Sequence, residues 1–510
     1  MKIRTRFPPE NGGHLHIGHI KAAYSNYKYA MDHNGEMIVR MDDTNPKNAK
    51  QEYAESILED LSKLNLIDKN TVITFTSNYF DDLIGYATEL LKSGNAYIDN
   101  TSQDIVKKNR KYMIESQNRN NTIEQNLMLW SEMINGDNTL TFRAKINMKH
   151  KQACMRDPIL YRSCDVPHYK TGLKHKIYPS YDLSCPILDS IEGITNTFRT
   201  SEYSDRNDLY FWVLKRLGLR EPKLQLFSSL SFEHTLLSKR KIKWFIENNY
   251  VDSWDDPRLC TIRGLLKRGI TIQCILNYVE NYYLSNITSK QGTYSLMITI
   301  NNNILDKIAP RYTAINKDNA YTLIFEPPIE KSIKSVPVHP KNPNLGDKQL
   351  KISNNIYLEN EDVKLLKEGD EITLFNLGNV IIKKINNGII IGQPNFDGDV
   401  KTTKYKLSWL STDDVIDLTI NEFNHILSTP KLVYIDENKK IIDHSCINKD
   451  SKRVMQCYGD STLKNLQHGT HVQLLRRGFH IIDTNNENYL ELNRLPESTQ
   501  KINHLSAFAK

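Results

Sequence analysis

The sequence predicts a doubly wound α/β domain that is split by an insertion and followed by a helical segment and β-barrels. Three observations carry this prediction. Strand and helix patterns alternate over the first hundred residues, a polar and basic stretch interrupts them over about 100–175, and short apolar runs separated by turn signals follow residue 310. Such alternation indicates βαβ units with a mostly parallel sheet, whereas closely spaced short strands indicate barrels or sandwiches.

The first half of the doubly wound domain consists of strands and helices in strict alternation. The predicted strands are "KIRTRF", "EMIVRM", "TVITFT" and "AYID", and the predicted helices cover 19–33, 47–64 and 79–93. The last of these helices is amphipathic, which is typical of a helix that packs on a sheet.

The interrupting stretch is basic, with "KKNRK" at 107–111 and "FRAKINMKHK" at 142–151. Alternation resumes after "IYPSYDL", with strands "TNTFRT" and "LQLFSSL" around a helix over 202–217, and 241 to about 303 reads as helical. Later, Asn387-Gly388 within "KKINNGIIIG" predicts a hairpin, and "NLGN" (376–379) predicts a turn. The predicted domains are 1–95, 96–176, 177–240, 241–310 and 311–510.

The composition is that of a folded intracellular protein. Of the 510 residues 39% are hydrophobic and 25% charged, which excludes a disordered chain. The net charge of +7 is compatible with a polyanionic partner without requiring one. The seven cysteines form no CxxC pair, which favours reduced thiols and no structural zinc site. No apolar run approaches the roughly 18–20 residues of a membrane span, and the N-terminus lacks a signal-peptide pattern.

The stretch "HLHIGH" (14–19) allows three chemical interpretations, namely metal ligands, a general acid–base pair or donors to an anion, and surface histidines at a helix start are the alternative without chemistry. A zinc site needs three or four ligands, and no cysteine lies nearby. A strand, a turn with Gly12 and Gly13 and a helix that begins near Ile17 favour phosphate binding at a helix N-terminus. The glycines match neither the dinucleotide fingerprint nor the P-loop.

"RFPPENGGHLHIGHIKA" resembles the HIGH signature of class I aminoacyl-tRNA synthetases, in the form found in enzymes for glutamate and glutamine. "VRMDDTNPKNAKQEY", "YPSYDLSCPILDSIEGITNTFRTSEYSDR", "LLSKRK" and "WDDPRLCTIRGLLKRG" follow in the order of that family, and later segments resemble its anticodon-binding barrels. The resemblance covers nearly the whole chain. Its β-rich C-terminal half resembles the archaeal and eukaryotic branch.

The resemblance implies a Rossmann-type catalytic domain that uses ATP and Mg²⁺ to form an aminoacyl-adenylate and then esterifies the 2′-OH of tRNA. It implies that His16 and His19 contact ATP phosphates, that Gly18 lies under the adenine, and that Lys239 neutralises the phosphates in the transition state. These histidines and this lysine are the predicted catalytic residues. The residues predicted to bind ATP are Glu10, Asn11, Gly12, His16, Gly18, His19, Thr200, Leu230, Leu237, Ser238 and Lys239.

For the amino acid, the resemblance implies a pocket with Asp42 on the α-amino group and with Arg6, Tyr181, Cys185 and Arg199 around the substrate. From its position alone, Asp42 is equally compatible with a helix N-cap. A side-chain carboxylate needs a fixed cation, and glutaminyl enzymes usually have a small neutral residue where this chain has Arg199. Glutamate is therefore the predicted substrate. A surface ion pair of Arg199, a glutaminyl enzyme and a non-discriminating glutamyl enzyme are the alternatives.

Two positions depart from the family pattern. Ser229 stands where the family usually has an arginine that holds ATP, and His14 replaces the usual tyrosine. Ser229 alone favours a third hypothesis, an inactive paralogue that binds RNA. The resemblance implies that the insertion receives the acceptor end of tRNA-Glu and that the barrels receive its anticodon. It further implies a cytoplasmic monomer without membrane contact, and leaves membership of a multi-synthetase complex open.

Overall fold

The computed structural model describes residues 2–283, 290–291, 294–436, 441–486 and 489–496. The described chain divides into two units. The first holds the described residues of 1–231, 237–240 and 279–292, and the second holds those of 232–236, 241–278 and 293–510. The domain boundaries predicted from the sequence remain a prediction.

The N-terminal segments form a three-stranded parallel sheet with helices between its strands. Their bounds are β1 Arg4–Phe7, α1 Ile17–Asp32, β2 Glu36–Met41, α2 Gln51–Lys63, β3 Ile73–Phe75 and α3 Phe80–Lys92. β2 lies between β1 and β3. The predicted alternation is confirmed here, and the observed helix ends differ from the predicted ones by one to four residues because helix ends carry little periodic signal.

The insertion contains an antiparallel sheet and two helices. The elements are β4 Ala96–Asp99, α4 Gln103–Tyr112, α5 Ile123–Asn135, β5 Thr141–Ala144, β6 Ile159–Ser163 and β7 Ile177–Pro179. The strands lie in the order β4-β5-β6-β7 around a core that includes Trp130, Phe142 and Tyr161. β7, which follows the predicted insertion in sequence, therefore pairs with a strand of the insertion.

The chain then returns to parallel pairing. The elements are α6 Tyr181–Ile191, β8 Asn196–Thr200, α7 Asn207–Arg216, β9 Lys223–Phe227 and β10 Leu230–Ser231. β8 and β9 pair in parallel, and the backbone amide of Thr195 donates to the Arg4 carbonyl at 2.9 Å, which joins this half to β1. The helix predicted over 202–217 begins only at Asn207, because Ser201–Arg206 forms a 3₁₀ turn rich in Ser and Asp.

Helices dominate the next segment, as predicted: α8 Lys239–Glu247, α9 Ile262–Lys267, α10 Ile272–Glu280, then the short strand β11 Lys290–Gln291 and α11 Tyr294–Leu305. β10 pairs with β11 in parallel.

The rest of the second unit consists of two seven-stranded sheets and a separate hairpin. Its elements are β12 Arg311–Tyr312, β13 Ala314–Asn316, β14 Tyr321–Phe325, β15 Ser332–Pro337, β16 Asp347–Ile352, β17 Asn355–Leu358, α12 Asn360–Val363, β18 Glu371–Leu374, β19 Gly378–Asn386, β20 Ile389–Asn395, β21 Tyr405–Leu407, β22 Trp409–Ser411, β23 Val415–Phe423, β24 Lys452–Asp460, β25 His471–Leu474, β26 Gly478–Asn486 and β27 Tyr489–Arg494.

One sheet has the order β21-β18-β19-β20-β14-β17-β22 and the other the order β12-β25-β26-β27-β23-β24-β13. Each encloses its own apolar core. The predicted hairpin at Asn387-Gly388 is confirmed between β19 and β20, where Gly388 has a φ of +82° that suits a residue without Cβ. β12 and β13 join the sheet built mainly from residues beyond 414, a pairing that no local pattern indicates.

Candidate active site

The turn between β1 and α1 ends in a reciprocal capping box made by two histidines. His16 is the N-cap of α1, and its Nδ1 accepts a hydrogen bond from the Gly18 amide at 3.1 Å. His19 Nδ1 in turn accepts from the His16 amide at 3.2 Å, and the ring centroids are 3.7 Å apart. Because both Nδ1 atoms are acceptors, each neutral ring carries its proton on Nε2. The cap thereby leaves two Nε2–H groups as donors at the start of a helix.

Both histidines are held in the neutral state. Burial, followed by the positive charge of Lys239, lowers the pKa of His16 to about 3. Burial, His16 and Lys239 together hold the pKa of His19 well below its usual value. Neutral imidazoles can donate to phosphate oxygens, but they do not exchange protons near neutral pH. The arrangement thus favours electrostatic stabilisation of an anion over acid–base catalysis.

Lys239, the first residue of α8, lies at the same turn. Its Nζ donates to the backbone carbonyl of Glu10. Burial lowers the pKa of Lys239 to about 8, against the opposing effect of the Glu10 and Asp42 carboxylates. A lysine whose charge is only partly compensated by its surroundings can bind an anionic ligand strongly.

Gly18 lies directly against the His16 ring. A Cβ at this position would lie 3.0 Å from Cε1 and 3.1 Å from Nδ1 of His16, and 4.0 Å from the carbonyl oxygen of Leu230. Gly18 and Leu230, both predicted to contact ATP, are therefore neighbours, and only glycine leaves the histidine ring undisturbed.

The remaining predicted ATP residues lie in three segments: the turn itself, the residues just before α8, and the end of β8. Glu10 forms an isolated parallel bridge with Asp42, in which the Asp42 amide donates to the Pro9 carbonyl at 2.9 Å and the Asn11 amide donates to the Asp42 carbonyl at 3.4 Å. A Cβ on Gly12 would lie 3.3 Å from Glu10 Oε1. Leu237 and Ser238 immediately precede Lys239, and Thr200 ends β8 opposite Phe227 of β9.

Arg199, near the end of β8, is a buried cation without a carboxylate partner among the described residues. Its side chain lies 5.3 Å from the ring centroids of both Tyr203 and Tyr210, and the residue is only 5% exposed. Nη1 donates to the Asn207 side chain at 3.3 Å, whereas Nε has no hydrogen-bond partner in the described chain. A buried guanidinium in this condition suits an anionic ligand.

Arg6, the other predicted ligand of a substrate carboxylate, is in a different state. Its Nε donates to Asp189 Oδ1 at 2.9 Å and its Nη1 to the Phe198 carbonyl at 3.2 Å, and the residue is fully buried. Arg40 donates to Asp189 at 2.6 Å and to Glu192 at 2.7 Å. The two guanidiniums hold the pKa of Asp189 well below its usual range despite burial. The geometry therefore supports Arg199 more strongly than Arg6 as a substrate ligand, and the role of Arg6 remains a prediction.

Cys185 and Tyr181 lie beside this ion cluster. Cys185 Sγ is 3.7 Å from both Arg6 Nη2 and Asp189 Oδ2, and burial raises the pKa of its thiol. Burial also holds the pKa of Tyr181 well above its usual value, with the Cys185 side chain next to it. Both groups are neutral at physiological pH, so they add no charge to the arginines of the pocket.

Asp42, predicted to pair with an α-amino group, is not a helix N-cap. Lys50 is the N-cap of α2, eight residues later. Asp42 Oδ1 accepts from the Thr44 hydroxyl at 2.8 Å and from the Thr44 amide at 3.3 Å. Burial raises the pKa of Asp42 against these hydrogen bonds.

The two departures from the family pattern have local partners. The Ser229 hydroxyl donates to Glu202 Oε1 at 2.7 Å. A small neutral side chain therefore stands where the family usually has an arginine. His14 Nδ1 is 2.5 Å from the Ser56 hydroxyl, and its ring packs edge-on to Tyr53. His14 thus contacts α2 and takes no part in the capping box.

The sequence did not single out several residues that build this pocket: Arg40, Asp189, Glu192, Tyr203 and Tyr210. Arg40 and Asp189 each interrupt an apolar run, in "MIVRM" and "CPILDS". A charged residue in an otherwise buried element signals a buried ion pair, and this signal was present in the sequence. The two tyrosines carry no such signal.

Within the described ranges, no group of three or more His, Cys, Asp and Glu side chains is arranged to hold a metal ion. In the same part of the chain, no helix combines the length and apolar character of a membrane span.

The chain matches three family models in succession. Residues 2–307 match the catalytic domain of "tRNA synthetases class I (E and Q)", and 309–396 and 406–483 match two anticodon-binding domains of the same family.

Among curated proteins, the chain is 38% identical to the cytoplasmic glutamate–tRNA ligase of Arabidopsis thaliana, over 94% of this chain and 67% of the relative. It is 37% identical to the probable cytoplasmic glutamate–tRNA ligase of Encephalitozoon cuniculi, over 98% of this chain and 76% of the relative. It is also 37% identical to the bifunctional glutamate/proline–tRNA ligase of Cricetulus griseus, over 94% of this chain but only 32% of that longer protein.

Proposed function

This chain belongs to the class I tRNA synthetases for glutamate and glutamine, and we propose that it ligates L-glutamate to tRNA-Glu through a glutamyl-adenylate. In the first step a carboxylate oxygen of glutamate attacks the α-phosphorus of ATP and pyrophosphate leaves. In the second step the 2′-OH of the terminal ribose attacks the activated carbonyl and AMP leaves. Both steps build negative charge on oxygen, so fixed positive groups and positioned donors supply the catalysis.

Arg199 is the single observation that carries the choice of glutamate. A buried guanidinium that has no carboxylate partner in the described part of the chain, and that lies 5.3 Å from two tyrosine rings, offers N–H donors to a ligand. The γ-carboxylate of glutamate supplies both the acceptors and the opposite charge. The amide of glutamine offers one neutral carbonyl oxygen as acceptor and leaves the guanidinium charge uncompensated, which costs several kcal/mol in a buried site.

The turn before α1 would hold ATP. The Nε2–H groups of His16 and His19 would donate to phosphate oxygens, Lys239 would supply the positive charge, and Gly18 and Leu230 would border the adenine. Glu10, Asn11, Gly12, Thr200, Leu237 and Ser238 complete the proposed ATP site, and Asp42 would pair with the α-amino group. Mg²⁺ would reach this site on the ATP phosphates and keep several water ligands, the usual binding mode of this ion.

The proposed assignment of RNA contacts follows the domains. The insertion, 96–176, would receive the acceptor end of tRNA-Glu, and the two sheets after 310 would receive the anticodon.

A cytoplasmic location follows the names of the curated relatives, and we propose a monomer that is also able to join a larger synthetase assembly. The boundaries 1–95, 96–176, 177–240, 241–310 and 311–510 are proposed as the domain limits.

Aminoacylation of purified tRNA-Glu and tRNA-Gln with each amino acid in turn tests this proposal. We expect glutamate on tRNA-Glu, and we expect Arg199→Ala to lower kcat/KM for glutamate by roughly 100-fold or more, because a buried charge pair is lost. Arg199→Lys should retain part of the activity. Arg216→Ala, which removes an exposed arginine on α7, is the matched control.

Three results would refute the proposal in different ways. Robust charging with glutamine and none with glutamate would identify a glutaminyl enzyme. Unchanged glutamate kinetics in Arg199→Ala would remove the specificity argument. RNA binding without any charging would identify an inactive paralogue.

A further inference from the structure

A tight turn of the insertion, residues 168–172, places Tyr169 next to the turn that precedes α1 and contains Asn11. The amide of His168 donates to the Gly172 carbonyl at 2.9 Å, and the amide of Gly172 donates back to the His168 carbonyl at 2.7 Å. Gly172 has a φ of +59°, a conformation that suits glycine. His168 Nδ1 accepts from the amides of Lys170 and Thr171 at 3.2 and 3.3 Å. Four hydrogen bonds within five residues make this turn a rigid support for Tyr169.

The turn is attached to the segment that follows β2. His168 Nε2 donates to the backbone carbonyl of Asp43 at 2.8 Å. The buried Asp43 carboxylate accepts from the Ser77 amide at 2.8 Å and from the Ser77 hydroxyl at 2.6 Å. Asp43 is therefore fixed from two sides, and it adjoins Asp42 in sequence.

The Tyr169 hydroxyl joins two separate turns. It accepts from Asn11 Nδ2 at 3.1 Å and donates to Asp43 Oδ2 at 3.4 Å. Burial, followed by the Asp43 charge, raises the pKa of Tyr169, so the hydroxyl keeps its proton at physiological pH. This one group thus bridges the turn that contains Asn11 and the turn that contains Asp42 and Asp43.

Asn11 depends on this bridge for its orientation. The residue is fully buried, and its Oδ1 has no hydrogen-bond partner within the described chain, so Nδ2 holds the side chain through Tyr169. Its backbone bonds are long: its amide donates to the Asp42 carbonyl at 3.4 Å, and the Lys50 amide donates to the Asn11 carbonyl at 3.4 Å. Loss of the Tyr169 hydroxyl would leave both polar atoms of a buried amide unpaired, which favours movement of the turn.

We propose that Tyr169 is a positioning residue for adenylate formation, through which the insertion fixes the ATP turn (10–12) and the amino-acid turn (42–43) together. This inference rests on the proposed function. It assigns no substrate contact to Tyr169. Both turns are hydrogen-bonded to the same hydroxyl, so removal of that hydroxyl weakens the binding of both small substrates.

Tyr169→Phe tests the inference, because it removes the hydroxyl and keeps the ring. Glutamate-dependent ATP–pyrophosphate exchange, measured with saturating tRNA-Glu, gives KM for each substrate and kcat. We expect KM for ATP and for glutamate to rise roughly threefold to tenfold, with kcat within about twofold of wild type, as for a lost hydrogen bond to an ionised group. Tyr161→Phe is the matched control, since this buried tyrosine of the insertion has no hydrogen-bond partner for its hydroxyl among the described residues.

Each outcome has a distinct meaning. Unchanged KM values in Tyr169→Phe would overturn the inference, and so would a fall in kcat and thermal stability at unchanged KM, which is the signature of a purely structural role. A rise in KM for only one substrate would overturn the claim that the two turns are fixed together. A wild-type protein without glutamate-dependent exchange would overturn the proposed function and the inference with it, whereas an active wild type with a silent Tyr169→Phe variant overturns the inference alone.

Discussion

Lys239 should lose its charge at an unusually low pH, and the capacity to use ATP should fall with it. Burial lowers the pKa of this amine to about 8. About nine in ten amines are then protonated at pH 7 and about one in ten at pH 9, whereas an ordinary lysine stays charged throughout. Because kcat/KM reports groups of the free enzyme, we expect kcat/KM for ATP to fall by roughly tenfold between pH 7 and pH 9.

Stability should change in the opposite direction over this range. The folded protein releases the Lys239 proton near pH 8, while the unfolded chain keeps it to about 10.5. The unfolded state therefore binds more protons between these values, and the contribution of this residue to the free energy of unfolding rises with pH. A loss of activity above pH 8 thus cannot be assigned to unfolding caused by Lys239.

Pyrophosphate exchange at a series of pH values, with circular dichroism at each pH, measures both effects. Lys239→Arg is the control, because a guanidinium stays charged across the range and should remove the alkaline fall even if its overall rate is lower. A flat kcat/KM profile up to pH 9.5 would refute the reasoning. An identical alkaline fall in Lys239→Arg would assign the titration to another group, such as the α-amino group of the substrate.

Two further substitutions test the ion cluster and the adenine surface. Asp189→Asn leaves the buried Arg6 and Arg40 without their shared carboxylate, so we expect a loss of about 3–5 kcal/mol in unfolding by urea, while Asp32→Asn, which breaks an exposed pair with Lys28, changes it by less than about 1 kcal/mol. A loss of equal size in both variants would contradict the cluster's role. Gly18→Ala places a Cβ 3.0 Å from the His16 ring, so we expect KM for ATP to rise roughly tenfold without loss of stability, whereas Gly85→Ala on α3, with open space around it, leaves KM unchanged. Equal KM values in the two glycine variants would show that the His16 ring position does not matter.

Local patterns in the sequence were sufficient to predict most of the helices and strands. The start of α1 at Ile17 could be predicted because glycines, histidines and the onset of helical composition lie within a few residues of each other. The Asn387-Gly388 hairpin could be predicted because its φ requirement is a property of two adjacent residues. The 3₁₀ turn over Ser201–Arg206 could not, because the composition of that stretch supports both a short helix and a turn.

The partners of the charged side chains lay beyond local reasoning. Arg6 and Arg199 have the same side chain, and both were predicted to meet the substrate. Only the packing of α6 against the sheet brings Asp189 to Arg6 and leaves Arg199 between two tyrosine rings. A single sequence does not indicate that two residues 183 positions apart, such as Arg6 and Asp189, are in contact.

The sequence by itself determined the alternation of strands and helices, and it was sufficient to predict phosphate binding at "HLHIGH" and a carboxylate ligand for Arg199, because each prediction depends on neighbouring residues or on the order of motifs. The tertiary structure alone decided that Lys239 meets Glu10, that Asp189 pairs with Arg6 and that Tyr169 holds Asn11. These contacts depend on where distant segments cross and on which polar atoms remain unpaired once the core has formed. Neither the crossing of distant segments nor the set of unpaired polar atoms can be deduced from neighbouring residues.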